Sequence, residues 1–265
     1  MPNHSGPWAP GTPCWCDLMT SDLAASRAFY GALLGWDFAV VQPGEYGGYT
    51  NALADGAVAA GLSPTPEGLE DAPHAWRVYL ATDDSAATRA AVVAAGGSVV
   101  AEPMQVGPMG TMGLYADPAG AVVGTWESGE HSGFARYDEP GTAVWLDLMS
   151  RDFEASQAFY AAAFGYRYSD VPSQGMRYVM FSVPGGERPA GGIGDLGNPD
   201  GSPAGTAPSA WTVCFQHPDV DAAASQVTAL GGSLLGEPSD IPFGRFVGLR
   251  GPDGEVFYLL TPPAA

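Results

Sequence analysis

The sequence predicts an α+β fold made twice over, in which one strand–helix–strands unit occurs four times as two tandem pairs. Three observations carry this. First, Gly11–Trp36 (GTPCWCDLMTSDLAASRAFYGALLGW) returns as Gly141–Tyr166 (GTAVWLDLMSRDFEASQAFYAAAFGY) at a constant offset of 130, with 14 of 26 positions identical. A repeat of this length sets the domain count and gives any site two versions that check each other. Second, the same pattern restarts midway through each half. Third, Gly 37 and Pro 24 are high counts for 265 residues, and they suit many short strands joined by turns. Each copy, at roughly 125 residues, can bury a core of its own.

Taken in order, Trp15–Thr20 reads as a strand, and Asp22 as the N-cap of a helix running to Leu34. Ser26, Phe29, Tyr30 and Leu33 share one face of that helix, and Gly35 sits where a C′ glycine is expected. Short strands follow near 36–42, 47–54 and 57–62, separated by PGEYGG and ADG. The unit then begins again with strand Trp76–Thr82, helix Asp84–Ala95 and the pair Gly96-Gly97. Strands near 97–101, 111–116 and 121–127 complete it, the last two joined by the turn Asp117-Pro118-Ala119-Gly120. The second copy repeats this with Trp211–Gln216, a helix over about 219–230, Gly231-Gly232-Ser233 and the turn Gly251-Pro252-Asp253-Gly254. Its offset grows to about 135, which places an insertion in Asp195–Ser209 (DLGNPDGSPAGTAPS).

Composition excludes several function classes. No apolar run approaches ~18 residues, so no membrane span is expected, and MPNHSGPWAP lacks the basic and apolar segments of a secretory signal. Cys14, Cys16 and Cys214 form an odd set without a disulfide pattern, which fits a reducing cytoplasm. All ten basic residues are arginines. Without lysine there is neither Schiff-base catalysis nor a P-loop. A net charge of −19 repels phosphate backbones, so nucleic acid is not an expected partner. That charge suits attraction of a cationic ligand, and equally suits solubility alone.

The run D-x-x-x-S-x-x-F-Y-x-x-x-x-G occurs as Asp22…Ser26…Phe29-Tyr30…Gly35 and as Asp152…Ser156…Phe159-Tyr160…Gly165. With the D-P-x-G turn and the four units, it resembles the vicinal oxygen chelate superfamily of glyoxalases, bleomycin-resistance proteins and extradiol dioxygenases. More narrowly, W-x-D-L at the start of each half resembles tandem two-domain actinobacterial members labelled glyoxalase-like or "hydroxylase". The resemblance implies two tandem glyoxalase-like domains, at 11–128 and 141–262 with a linker at 129–140. Each would pair two βαβββ modules into a curved mixed sheet around a cleft. In metal-dependent members, strands one, five and eight of a domain supply the ligands. Carried over, those positions are Trp15, Arg77 and Gly124 in one copy and Trp145, Thr212 and Tyr258 in the other. None is a usual donor for a hard divalent ion, and the fourth-strand segments AVAAG and PAGGIG offer none. His4 and His131 fall in tail and linker, while His74 and His217 flank the fifth strands. The expectation is no metal and no cofactor.

Strand alternation then selects what lines each cleft. The first would hold Trp15, Asp17 and Met19, Arg77, Tyr79 and Ala81, and Val122, Gly124 and Trp126. The second would hold Trp145, Asp147 and Met149, Thr212, Cys214 and Gln216, and Val256, Tyr258 and Leu260. Trp15, Arg77, Tyr79, Trp126, Trp145 and Tyr258 are the candidate ligand contacts, with the indoles able to stack a planar or cationic ligand or simply to pack as core. Asp17 and Asp147 are the candidate catalytic carboxylates, as general acid or base with raised pKa. The competing role is a structural hydrogen bond to a backbone amide, or for Asp17 a pair with Arg77. Cys214 and Arg245 differ between the copies, and Cys214 reads as a buried thiol with no base beside it.

Two functions fit these residues. One is metal-independent binding of an aromatic or cationic small molecule, as in bleomycin resistance. The other is an enzyme, a glyoxalase-like lyase or a natural-product isomerase or hydroxylase using a cleft Asp. An interaction module with filled clefts is a third class, and a homodimer is left open.

Overall fold

The computed structural model describes residues 4–41, 44–171, 176–197 and 207–263. In the first half, one module comprises β1 (Pro13–Thr20), α1 (Leu23–Leu34), β2 (Asp37–Val40), β3 (Thr50–Ala54) and β4 (Ala57–Pro64). The next comprises β5 (Trp76–Thr82), α2 (Ser85–Ala94), β6 (Ser98–Val106), β7 (Gly110–Ala116) and β8 (Val122–Ser128). The second half repeats them as β9 (Ala143–Ser150), α3 (Phe153–Phe164), β10 (Arg167–Asp170), β11 (Tyr178–Ser182) and β12 (Gly191–Asp195). Then come β13 (Ala210–Gln216), α4 (Val220–Gln226), β14 (Ser233–Leu234), β15 (Ser239–Ile241), β16 (Gly244–Arg250) and β17 (Val256–Thr261).

Each half forms one mixed sheet, ordered β2-β3-β4-β1-β5-β8-β7-β6 and β10-β11-β12-β9-β13-β17-β16-β14, with β15 added beside β16. The first strand of each module lies at the centre, where β1 meets β5 antiparallel and β9 meets β13 likewise. The predicted fold class is therefore the observed one. Differences are local. β6 runs to Val106 because β7 continues beside it as far as Gly110. α4 stops at Gln226, and the segment expected to extend it closes in turns, with Gly232 N–H bonded to Val227 O. Residues 198–206 of the expected insertion lie outside the described residues. No helix among the described residues is long and apolar enough to cross a membrane.

The repeated motif is explained by how the halves meet. Asp22 and Asp152 cap their helices by accepting the N–H groups of Ala25 (2.9 Å) and Ala155 (3.1 Å). Gly35 and Gly165 close them in the left-handed conformation, at φ 71° and 70°. The Phe of each motif packs against the other half. A Cβ on Gly232 would lie 2.9 Å from the Phe29 ring, and one on Gly97 would lie 2.6 Å from the Phe159 ring. The second glycine of each Gly-Gly pair is thus required by the other half's phenylalanine. The motif serines meet the other half's turn network as well. Ser156 donates to Asp117 (3.0 Å), and Thr20, which shares a hydrogen bond with Ser26, donates to Asp253 (3.0 Å).

Tyr30 is the hub of this interface. It is fully buried, donates to Glu255 Oε1 at 2.7 Å and accepts from Trp76 Nε1 at 3.0 Å. Trp36 beside it packs on Phe215 and donates to Gly141 O at 2.6 Å. Both sheets therefore turn their backs and helices to a shared core and face their concave sides outward. Tyr30→Phe leaves a buried carboxyl and an indole without this partner, which should cost about 1–3 kcal/mol. Urea unfolding followed by circular dichroism should show both halves shifting together, since the bond joins them.

Candidate functional site

Strand register assembles the two clefts. Trp15 lies opposite Tyr79, Asp17 opposite Arg77, and Tyr79 beside Gly124. In the second half Trp145 lies opposite Cys214, Asp147 opposite Thr212, and Cys214 beside Tyr258. One-residue alternation sends all of these to the concave face. The structure thus groups the candidates into two separate sets, Trp15, Asp17, Arg77, Tyr79 and Trp126 in one and Trp145, Asp147 and Tyr258 in the other.

Both clefts contain a Trp–Tyr–Asp trio whose tyrosine the sequence reading missed. In the first, Trp15 Nε1 donates to Tyr49 OH (2.9 Å), and Tyr49 OH lies 3.4 Å from Asp17 Oδ2. In the second, Trp145 Nε1 reaches both Tyr178 OH (2.7 Å) and Asp147 Oδ1 (2.8 Å), while Tyr178 OH donates to Asp147 Oδ1 at 2.5 Å. The ring needs room on the neighbouring strand. Any side chain at Gly61 would overlap the Tyr49 hydroxyl, and any at Gly192 would overlap that of Tyr178. A readable signal exists, a tyrosine just before or at the start of the third strand of each copy, facing a glycine in the fourth.

The aspartates are thus held by side-chain hydroxyls and an indole, and not by a backbone amide. Arg77 does not make the expected contact with Asp17 either, its NH1 reaching Tyr79 OH at 3.5 Å. Burial raises both carboxyl pKa values; at Asp17 the Arg77 charge and then the tyrosine hydrogen bonds work against it, and at Asp147 the hydrogen bonds received do so. For Asp147 the value is pushed up to about 6.

Here the two clefts diverge. In the first, Tyr79 lies across the floor over Gly124, where any Cβ would overlap its ring. Its hydroxyl donates to Asp17 (2.9 Å) and touches Met112 Sδ (3.6 Å). Trp15, Asp17, Tyr79 and Trp126 are at most 9% exposed. The linker adds a plug. His131 packs edge-on against Trp15 at 4.5 Å and against Trp126 at 5.6 Å, and Phe134 lies 5.5 Å from Trp15. The His131 Nε2 is buried without a hydrogen-bond partner, and burial pushes its pKa down to about 4. So His131, which the sequence places in the linker, does belong to the first cleft. Across the top, Tyr46 carries its hydroxyl from the β2–β3 connection to Gly107 at the β6–β7 turn. The first cleft is filled by its own side chains.

In the second half the large and small residues are exchanged. Cys214 replaces Tyr79, and Tyr258 replaces Gly124. Tyr258 stands to one side, stacked on Phe246 at 5.1 Å and 18°. Trp145, Asp147, Tyr178, Thr212 and Tyr258 are only half-buried. Cys214 is buried, its thiol pKa driven well up, and His217 turns away to Leu33 O. Arg245 is outside the cleft, paired with Asp221 and Asp240.

The residues at the positions implied for metal ligands do not fit a divalent cation. Indole, threonine hydroxyl and neutral phenol are poor donors, guanidinium repels a cation, and Gly124 lies under a ring. Among the described residues no group of three His, Cys, Asp or Glu could hold one.

Comparison with known proteins agrees with this architecture. The model of the Glyoxalase/Bleomycin resistance protein/Dioxygenase superfamily matches residues 14–124 and 142–259. "Putative glyoxylase CFP32" of Mycobacterium tuberculosis is 35% identical over 99% of this chain and 98% of its own length. "Anthracycline biosynthesis protein DnrV" of Streptomyces peucetius is 35% identical over 94% and 93%. The Mn(II)-bound glyoxalase of Novosphingobium aromaticivorans is similar in fold, with TM-score 0.62 and 19% identity over 95% of this chain and 82% of that one. So is 2,2',3-trihydroxybiphenyl 1,2-dioxygenase of Sphingomonas wittichii, at 0.63 and 15% over 96% and 91%.

Because Trp145 donates to Asp147, its emission should titrate with a midpoint near pH 6, and Asp147→Asn should abolish that step. The sign for stability follows from the raised value. The contribution of Asp147 is fully present below its usual 3.8 and is lost as pH rises through about 6. Melting temperatures across this window should fall less steeply in Asp147→Asn.

Proposed function

Because the chain belongs to the Glyoxalase/Bleomycin resistance protein/Dioxygenase superfamily, we propose that it is a metal-independent binding protein for a planar aromatic small molecule, held in the cleft of its second half. The observation that carries this reading is the exchange of Tyr79 and Gly124 for Cys214 and Tyr258, which moves a ring from the floor to the wall. Aromatic side chains then surround Asp147 in the second cleft, the composition of a small-molecule pocket. A relative named for anthracycline biosynthesis favours a polycyclic aromatic ligand. The charge of −19 favours neutral or cationic compounds over anions. The three free thiols fit a reducing compartment, and we place the protein in the cytoplasm.

A second reading is supported by Asp147 itself. A carboxyl raised to about 6 and bonded to a tyrosine is poised for general acid–base work in a tailoring reaction. Turnover lost in Asp147→Asn with ligand affinity retained would favour the enzyme.

Titration of tryptophan emission with polycyclic aromatic compounds should saturate in the micromolar range, unchanged after EDTA dialysis. Trp145→Phe should remove most of the signal. No saturation below the millimolar range, or loss of binding on chelation, would overturn the proposal.

A further inference from the structure

The hydrogen bonds around Asp147 are one-sided. Tyr178 and Trp145 both donate to Oδ1, at 2.5 and 2.8 Å. Among the described residues no hydrogen bond reaches Oδ2. Thr212, opposite on β13, turns its hydroxyl to the Asp147 backbone oxygen (3.3 Å). The counterpart in the first cleft is enclosed, with Tyr79 and Tyr49 on Asp17 Oδ2 and the Arg77 cation acting on it. Among the described residues no such cation acts on Asp147, which is half-buried beside the Phe246–Tyr258 wall.

A carboxylate oxygen in this setting has lost part of its hydration and gained no donor in return. A ligand that brings an O–H or N–H restores the bond, and one that brings only ether or carbonyl oxygens sets acceptor against acceptor. We propose that Asp147 Oδ2 anchors the ligand, accepting a hydrogen bond from a hydroxyl or amine on the rim of a planar aromatic compound whose ring lies against Tyr258 and Phe246. This rests on the reading of the second cleft as the binding site, and it narrows the ligand class to aromatics with a peripheral donor. Among the described residues the titratable groups facing Asp147 are Tyr178, Tyr258, Tyr137 and Cys214, all pushed upward by burial. None of them titrates near neutral pH, so a pH effect on affinity around 6 belongs to Asp147.

Two probes of one shape test this, 2,6-dihydroxyanthraquinone and its dimethyl ether, titrated into the full chain by calorimetry at pH 7. The diol should bind once per chain and at least about tenfold more tightly than the ether, the usual weight of a hydrogen bond to a charged group. In Asp147→Asn the donors Tyr178 and Trp145 hold the amide oxygen at the Oδ1 position, which puts the NH2 where Oδ2 was. The preference should then vanish or reverse. The double variant C214Y/Y258G rebuilds the Tyr79–Gly124 pair and should lose both probes. Should either variant fail to fold by circular dichroism, the unaltered protein still decides, since its diol preference should close between pH 7 and 5. Equal binding of both probes, or a preference that survives Asp147→Asn, overturns the anchor while leaving aromatic binding intact. Saturation by neither probe overturns the binding reading itself.

Discussion

The structure depends on the packing of each half's first helix against its own sheet and against residues of the other half. The back of each sheet is packed in part by residues of the other half. Phe29 on Gly232 and Phe159 on Gly97 complete that cover, and the Tyr30–Glu255 bond locks the first pair in a dry environment. Once the backs are buried together, each concave face is left pointing outward. The two clefts then become independent surfaces on one scaffold, free to diverge without disturbing the core.

Divergence is what the clefts show, and it turns on where one ring is placed. A tyrosine on β5 covers a glycine on β8 and donates a hydrogen bond to Asp17. The equivalent ring on β17 stacks against Phe246, and a small thiol occupies the floor. Total volume changes little, so the sheet is undisturbed, while the carboxyl changes from buried in the first half to half-buried in the second. The linker reinforces the difference, because it must leave the first half past Trp126 and lays His131 and Phe134 against Trp15 on the way.

The conserved architecture of the Trp–Tyr–Asp trio in both halves carries a further consequence. The tyrosine fills the ground next to the fourth strand, and only glycine at 61 or 192 leaves room for it. The chain thus has a hydrogen-bonded organic cluster near the positions where metal-dependent members of the superfamily place their ligands. The burial that raises the carboxyl pKa is tolerated because hydroxyl and indole donors replace part of the lost water.

By itself the sequence determined the duplication, the order of strands and helices, and that Trp15 and Asp17, like Trp145 and Asp147, share one strand face, which the resemblance assigned to the clefts. These follow from local rules, namely strand alternation, helix caps at Asp22 and Asp152, and glycines at helix ends. It also showed that the implied ligand positions carry no good donors. Only the tertiary structure decided which cleft is filled, because that rests on contacts between residues distant in the chain, such as Tyr79 with Gly124 and His131 with Trp15. The same holds for Tyr49 and Tyr178, whose hydroxyls meet the aspartates only once β3 and β11 take their places in the sheets. Spacing along one strand sets direction, but a cavity is a difference in volume among several strands, and that difference exists only when they are packed.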